Sequence, residues 1–141
     1  MFFASLPDDA IECPRQVRGA TDRIARMMRP GAVPSAVYGT VMADLEPEFL
    51  ENFMGFGTRR VKFLGHGIGL QIDEIPVIAR GFDEPLQEHM VLALEPKKGI
   101  AGVGMWVSRT GSLVTPAAGR RDTRDHPAGR APSMALAQSS L

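Results

Sequence analysis

The sequence lacks most of the features that would set it apart from an ordinary globular domain. It holds one cysteine, Cys13, so no internal disulfide can form and a reducing compartment suits it. Neither sign of charge predominates, since 16 Lys and Arg balance 16 Asp and Glu. That balance argues against a general electrostatic grip on nucleic acid or on an anionic membrane. No apolar run approaches the roughly 20 residues that span a bilayer. The opening "MFFASLP" is too short for a secretory signal and has no basic flank. A soluble, cytoplasmic protein without nucleic-acid or membrane partners is expected.

What is present is enough for one core. The chain has 141 residues, 44% of them hydrophobic, which suits a single compact domain. Val17, Ala20, Ile24, Met27 and Met28 recur with the period of a helix. Pro14 suits its first turn, and Pro30-Gly31 stops it. Ser35 is placed to cap a second helix carrying Val37, Val41, Met42 and Leu45. After Pro47, the residues Phe49, Leu50 and Phe53 begin a further helical turn.

The pattern then changes. "RVKFLGHGI" is apolar and bounded by glycine, which predicts a strand ending near His66. "HMVLALEP" predicts a second strand, with "IPVIARGFDEPLQE" as an irregular connection between them. From Pro116 onward the residues are Ala, Arg, Pro, Gly and Ser with almost nothing to bury, which predicts a disordered tail. The fold class expected is α+β, with a domain over 1–119 and a tail over 120–141.

Two residues stand out chemically. His66 lies among Gly65, Gly67 and Gly69, which would let backbone or ligand come close to the imidazole. The plainer alternative is a turn that happens to contain a histidine. Glu95 ends an apolar strand, where a charge is costly unless paired or on a metal. An imidazole and a carboxylate are ligands suited to zinc, manganese, iron or cobalt. Equally, Glu95 could leave the core there and pair with Lys97 or Lys98.

The stretches "FLGHGIGLQIDEIP", "LQEHMVLALEPKKGI" and "LVTPAAG" resemble the pita-bread metallopeptidases: methionine aminopeptidases, Xaa-Pro peptidases and the metal-free enzyme creatinase. The similarity is nearest to the bacterial Xaa-Pro branch and runs from Met1 to about Gly119. It implies a curved antiparallel sheet carrying helices, of which this chain keeps the later half and part of the earlier one. It also implies two divalent metals held by two aspartates, one histidine and two glutamates. His66 matches the histidine of the G-H-G-[IV]-G motif, and Glu95 matches the glutamate of the [IL]-E-P motif.

The other ligand positions depart from that pattern. Both aspartates of the family precede a segment like D-x-T-R-x-F-F, and this chain reads as though it starts just beyond the second. Asp8 and Asp9 match the polar turn that follows and inherit no ligand role. The last glutamate belongs to a segment like V-G-V-E-N-T-F, where this chain reads "WVSRTGS" between an intact "GVGM" and an intact "LVT". Arg109 therefore stands where a ligand is expected. Codons for Val-Gly-Val-Glu-Asn read one base late give Trp-Val-Ser-Arg-Thr, so a local frame slip restored before Leu113 is the hypothesis. Resequencing decides it, and an in-frame Arg109 codon with no neighbouring insertion or deletion removes it. Under that hypothesis Trp106 should be exposed or misfitted.

Asp73 occupies the place of a second family histidine, one that contacts substrate. Asp73 and Glu74 read equally as a solvated loop pair. His89 reads as a surface residue, and His126 as part of the tail.

The resemblance implies peptide N-termini or Xaa-Pro peptides as ancestral substrates. With two of five ligands present, the chain is expected to bind metal weakly or not at all and to be inactive alone. The alternatives are a metal-independent peptide-binding pseudoenzyme and a creatinase-like small-molecule hydrolase. Sheet edges covered in complete relatives would invite formation of a homodimer.

Overall fold

The computed structural model describes residues 8–71, 73–118 and 120–121. Helix α1 (Asp8–Met27) is organised by one apolar seam. Cys13, Val17, Ala20, Thr21, Ile24, Ala25 and the following Met28 are buried, and steps of three and four keep them on one face. Thr21 satisfies its hydroxyl by donating to the Val17 carbonyl at 3.1 Å. The expected start at Pro14 is corrected, because the helix begins at Asp8 and Pro14 lies inside it. Proline's fixed φ suits a helix, and the buried seam on both sides outweighs the bond its nitrogen cannot donate.

Helix α2 (Pro34–Asp44) is begun by Pro34, with Val33 at the cap position. Ser35 is therefore not the cap, and its hydroxyl donates to the Asp83 carboxylate instead. Pro34, Val37 and Val41 are the buried side of α2. Helix α3 (Pro47–Leu50) is one turn that buries Phe49 against Phe53, with ring centroids 5.3 Å apart.

The strands are β1 (Gly55–Phe56), β2 (Arg59–Arg60), β3 (Phe63–Gly67), β4 (Glu74–Ala79), β5 (Val91–Leu94), β6 (Lys97–Ile100), β7 (Gly104–Val107), β8 (Thr110–Leu113) and β9 (Arg120–Arg121). Five of them form an antiparallel sheet in the order β4-β3-β5-β8-β9, and β1-β2 and β6-β7 are separate two-stranded ribbons. The α+β class is as expected. The connection expected to be irregular is so only after Ala79, since Glu74–Ala79 is a strand. Pro76 is tolerated there because β4 is an edge that pairs only with β3.

The sheet has two unlike faces. Leu92, Leu94, Ser112 and Val114 are fully buried, and the three apolar ones join Ile24, Met28, Val37 and Val41 in one core. Each such aliphatic side chain contributes about 1.5–3 kcal/mol by leaving water. The alternate residues Val91, Ala93, Glu95 and Arg109 project from the other face. Beyond β8, Arg120–Arg121 pairs with Ser112 and Leu113, so pairing continues past residue 119. The rest of the expected tail, 122–141 with His126, lies outside the described residues.

Candidate functional site

Register brings the sequence-predicted residues to the open face. His66 lies opposite Ala93, and Ala93 lies opposite Gly111. Glu95 is two residues beyond Ala93, its amide donating to the Leu64 carbonyl at 3.0 Å. His66 and Glu95 are thus diagonal neighbours on adjacent strands, with Cα atoms about 7–8 Å apart.

Each of the two has already taken a charged partner from the chain itself. Arg109 Nε lies 3.4 Å from Glu95 Oε1, where the glutamate side chain is 21% exposed and the arginine 76%. The pairing of Glu95 with Lys98 that the sequence left open is not made. Lys98 Nζ instead donates to the carbonyls of Phe49, at 2.8 Å, and Glu51. His66 Nε2 lies 3.3 Å from Asp73 Oδ1, the ring 8% exposed and the carboxylate 73%. Phe63 stacks edge-on against the imidazole at 5.9 Å. The other ring nitrogen, Nδ1, is 3.0 Å from the Gly67 carbonyl. A carbonyl only accepts, so Nδ1 carries the hydrogen.

The glycines around His66 serve the chain's own packing. A Cβ on Gly65 would lie 2.6 Å from the Ala93 carbonyl oxygen, and one on Gly67 would lie 2.6 Å from that of Ile75. Of the two alternatives drawn from their composition, it is backbone and not a ligand that comes close at both positions. Asp73 and Glu74 are also not a uniformly solvated pair. Glu74 Oε1 accepts from the Gln71 amide at 2.7 Å, and its carboxylate occupies the space above Gly69. Glu74 thereby folds the β3–β4 connection that carries Asp73 to His66. Sequence reasoning missed this role, although the spacing of Gly69 and Glu74 is its signal.

The remaining residues fall elsewhere. His89 is exposed beside Glu88, at 3.7 Å. Trp106 is half-buried in β7 and packs against the core, so it is neither exposed nor displaced from it. A cleft of about 440 Å³ lies away from His66, bordered by Glu12, Glu46, Glu48, Glu51 and Lys98.

Two divalent ions do not fit the donors of the described residues. Among the described residues no group of three His, Cys, Asp or Glu converges as a metal site requires. Of the two sequence-predicted ligands, Glu95 has the cation of Arg109 beside it and His66 has Asp73.

Comparison with known proteins bears on the family and the fold. The model of metallopeptidase family M24 matches residues 2–116. A Xaa-Pro dipeptidase of Lactobacillus delbrueckii subsp. lactis is 33% identical over 85 residues, which cover 57% of this chain and 23% of the relative. The X-Pro aminopeptidase of Thermotoga maritima superposes with a TM-score of 0.70 at 22% identity, over 84% of this chain and 32% of that one. The methionine aminopeptidase of Rickettsia prowazekii gives 0.60 at 16% identity, over 84% and 54%. These solved structures share the fold. The chain spans about a quarter of the length of the dipeptidase and a third of that of the aminopeptidase.

Proposed function

Because this chain belongs to metallopeptidase family M24, we propose that it is a peptidase-like protein of the Xaa-Pro type that hydrolyses no peptide at a useful rate by itself. The observation that carries this reading is the ion pair of Glu95 with Arg109. In a complete enzyme of this kind, a pair of metal ions supplies an activated water and polarises the scissile carbonyl. Here the inherited donors reduce to His66 and Glu95, and the second of these is already neutralised by a guanidinium. An unlike charge already at a carboxylate opposes a metal cation there by a few kcal/mol at an effective dielectric near 20, with less for so exposed a group.

The substrate chemistry follows the relatives. Peptides with proline in second position, offered by their N-termini, are the ligands this site descends from. Asp73 would meet the substrate beside His66. The chain operates in the cytoplasm, consistent with its single buried thiol.

The test is direct. Purified chain is incubated with Xaa-Pro dipeptides and longer Xaa-Pro peptides, with manganese, cobalt or zinc added, and free N-terminal residue is measured. No metal-dependent release is expected. Release that scales with protein and disappears with chelator would overturn the reading.

A further inference from the structure

Among the described residues the main sheet ends on β4 at one side and β9 at the other, and the two edges are unlike. Strand β9 is two arginines, so pairing it with its own copy would set like charges against each other. Strand β4 carries no charge from Ile75 to Ala79, and Ile75 is 80% exposed. The outward groups of β4 follow from the register of β3. Leu64 accepts from the Glu95 amide, and the Ile68 amide donates to the Val91 carbonyl at 3.0 Å. Leu64, His66 and Ile68 therefore turn their backbone groups toward β5. Val77 lies opposite His66, so this pair exchanges no hydrogen bonds and the N–H and C=O of Val77 point away from the sheet. Pro76 lies within the register shift between the His66–Val77 and Gly67–Glu74 pairs, so the outward N–H of Val77 is kept.

We propose that β4 pairs antiparallel with β4 of a second copy of this chain, about a two-fold axis at Val77, and joins two sheets into one. In that register Val77 exchanges both backbone bonds with Val77 of the second copy. Glu74 faces Arg80 of the second copy, Ile75 faces Ala79 and Pro76 faces Ile78, and the symmetry makes each match occur twice. The segment from Glu74 to Arg80 is therefore complementary to itself, with opposite charges at its ends and apolar residues between. A register that set carboxylate against carboxylate would lose this advantage. Arg80 is exposed just past the end of the strand. Glu74 accepts from the Gln71 amide through Oε1, and a carboxylate has capacity for a further donor. A contact one strand wide falls below the roughly 1,200 Å² of stable interfaces, so the dimer is weak and depends on concentration.

The experiment is sedimentation equilibrium of the full chain from about 5 μM to about 1 mM, without metal or substrate. The average mass should rise from 15.3 kDa toward twice that value. Arg80→Glu sets two carboxylates together, and it should weaken association at least about tenfold, as should Ile75→Lys. Both residues are exposed, so their substitution leaves the fold intact, which circular dichroism verifies. Leu70→Lys changes an exposed apolar residue outside β4 and should leave association within about twofold. Hydrogen exchange in the segment 74–80 should slow between the dilute and the concentrated sample, because the Val77 amide passes from water to a partner carbonyl. A chain that stays monomeric up to about 1 mM overturns the proposal, as does wild-type association in Arg80→Glu or Ile75→Lys. An equal loss in Leu70→Lys overturns it too, and moves the contact to the β3–β4 connection. The proposal does not rest on the peptidase reading, since mass is measured without turnover.

Discussion

Arg109 Nε and Glu95 Oε1 lie 3.4 Å apart across the ends of β8 and β5. The residue pair sits one step beyond the Leu94–Thr110 match, so register alone brings the charges together. Because Arg109 is 76% exposed, the pair's coupling is modest. A double-mutant cycle with Glu95→Gln and Arg109→Ala in urea should give about 0.2–1 kcal/mol. A value near zero would remove the pair as a feature of the folded state.

Replacing the cation tests its effect on metal. Arg109→Glu sets two carboxylates against each other and should lower the melting temperature without metal. Added Mn²⁺ should restore it, with affinity at least tenfold above wild type, about 1.4 kcal/mol. Thermal melts with and without Mn²⁺ measure both effects.

Lys98 closes the end of α3 by donating to the Phe49 and Glu51 carbonyls, with its ammonium 5.2 Å from the Phe49 ring centroid. Lys98→Met keeps the stem and removes the donors. It should cost about 1.5–3 kcal/mol in chemical denaturation, the range for hydrogen bonds to a charged group.

Ser112 is fully buried, and among the described residues its Oγ has no hydrogen-bond partner. A buried hydroxyl left unpaired costs about 1–3 kcal/mol. Ser112→Ala should therefore raise stability by about 1 kcal/mol, seen as a higher denaturation midpoint with an unchanged slope.

At Gly67 a methyl group would meet the Ile75 carbonyl, which is backbone and cannot turn aside. Gly67→Ala should cost about 1–3 kcal/mol or more, the range for overpacking. Gly31→Ala meets no neighbour, but its φ of +88° strains any other residue, so it should cost about 1 kcal/mol by a different route. Midpoint shifts for the two variants separate the two causes.

Local signals in the sequence were good guides to elements that carry their own pattern. The seam of α1 is visible as Val17, Ala20, Ile24 and Met28, because burial of one helix face imposes that spacing. The strand at His66 and the strand before Glu95 were likewise visible as short apolar runs. Strand β4 was not, because Pro76 and the exposed Ile75 disguise an edge strand that needs neither a full bond ladder nor two buried faces. The start of α1 was misplaced for a related reason, since Pro14 signals a first turn wherever no tertiary packing is known.

The sequence by itself determined the family, the α+β class and the places of His66 and Glu95, since each rests on contiguous residues whose order survives without a fold. Only the tertiary structure decided their partners. Glu95 had Lys97 and Lys98 beside it in the chain and took Arg109 from a neighbouring strand. His66 took Asp73, seven residues away but delivered by a connection that Glu74 ties back on itself. Ion pairs form between atoms close in space, and antiparallel register sets that closeness with no trace in local spacing.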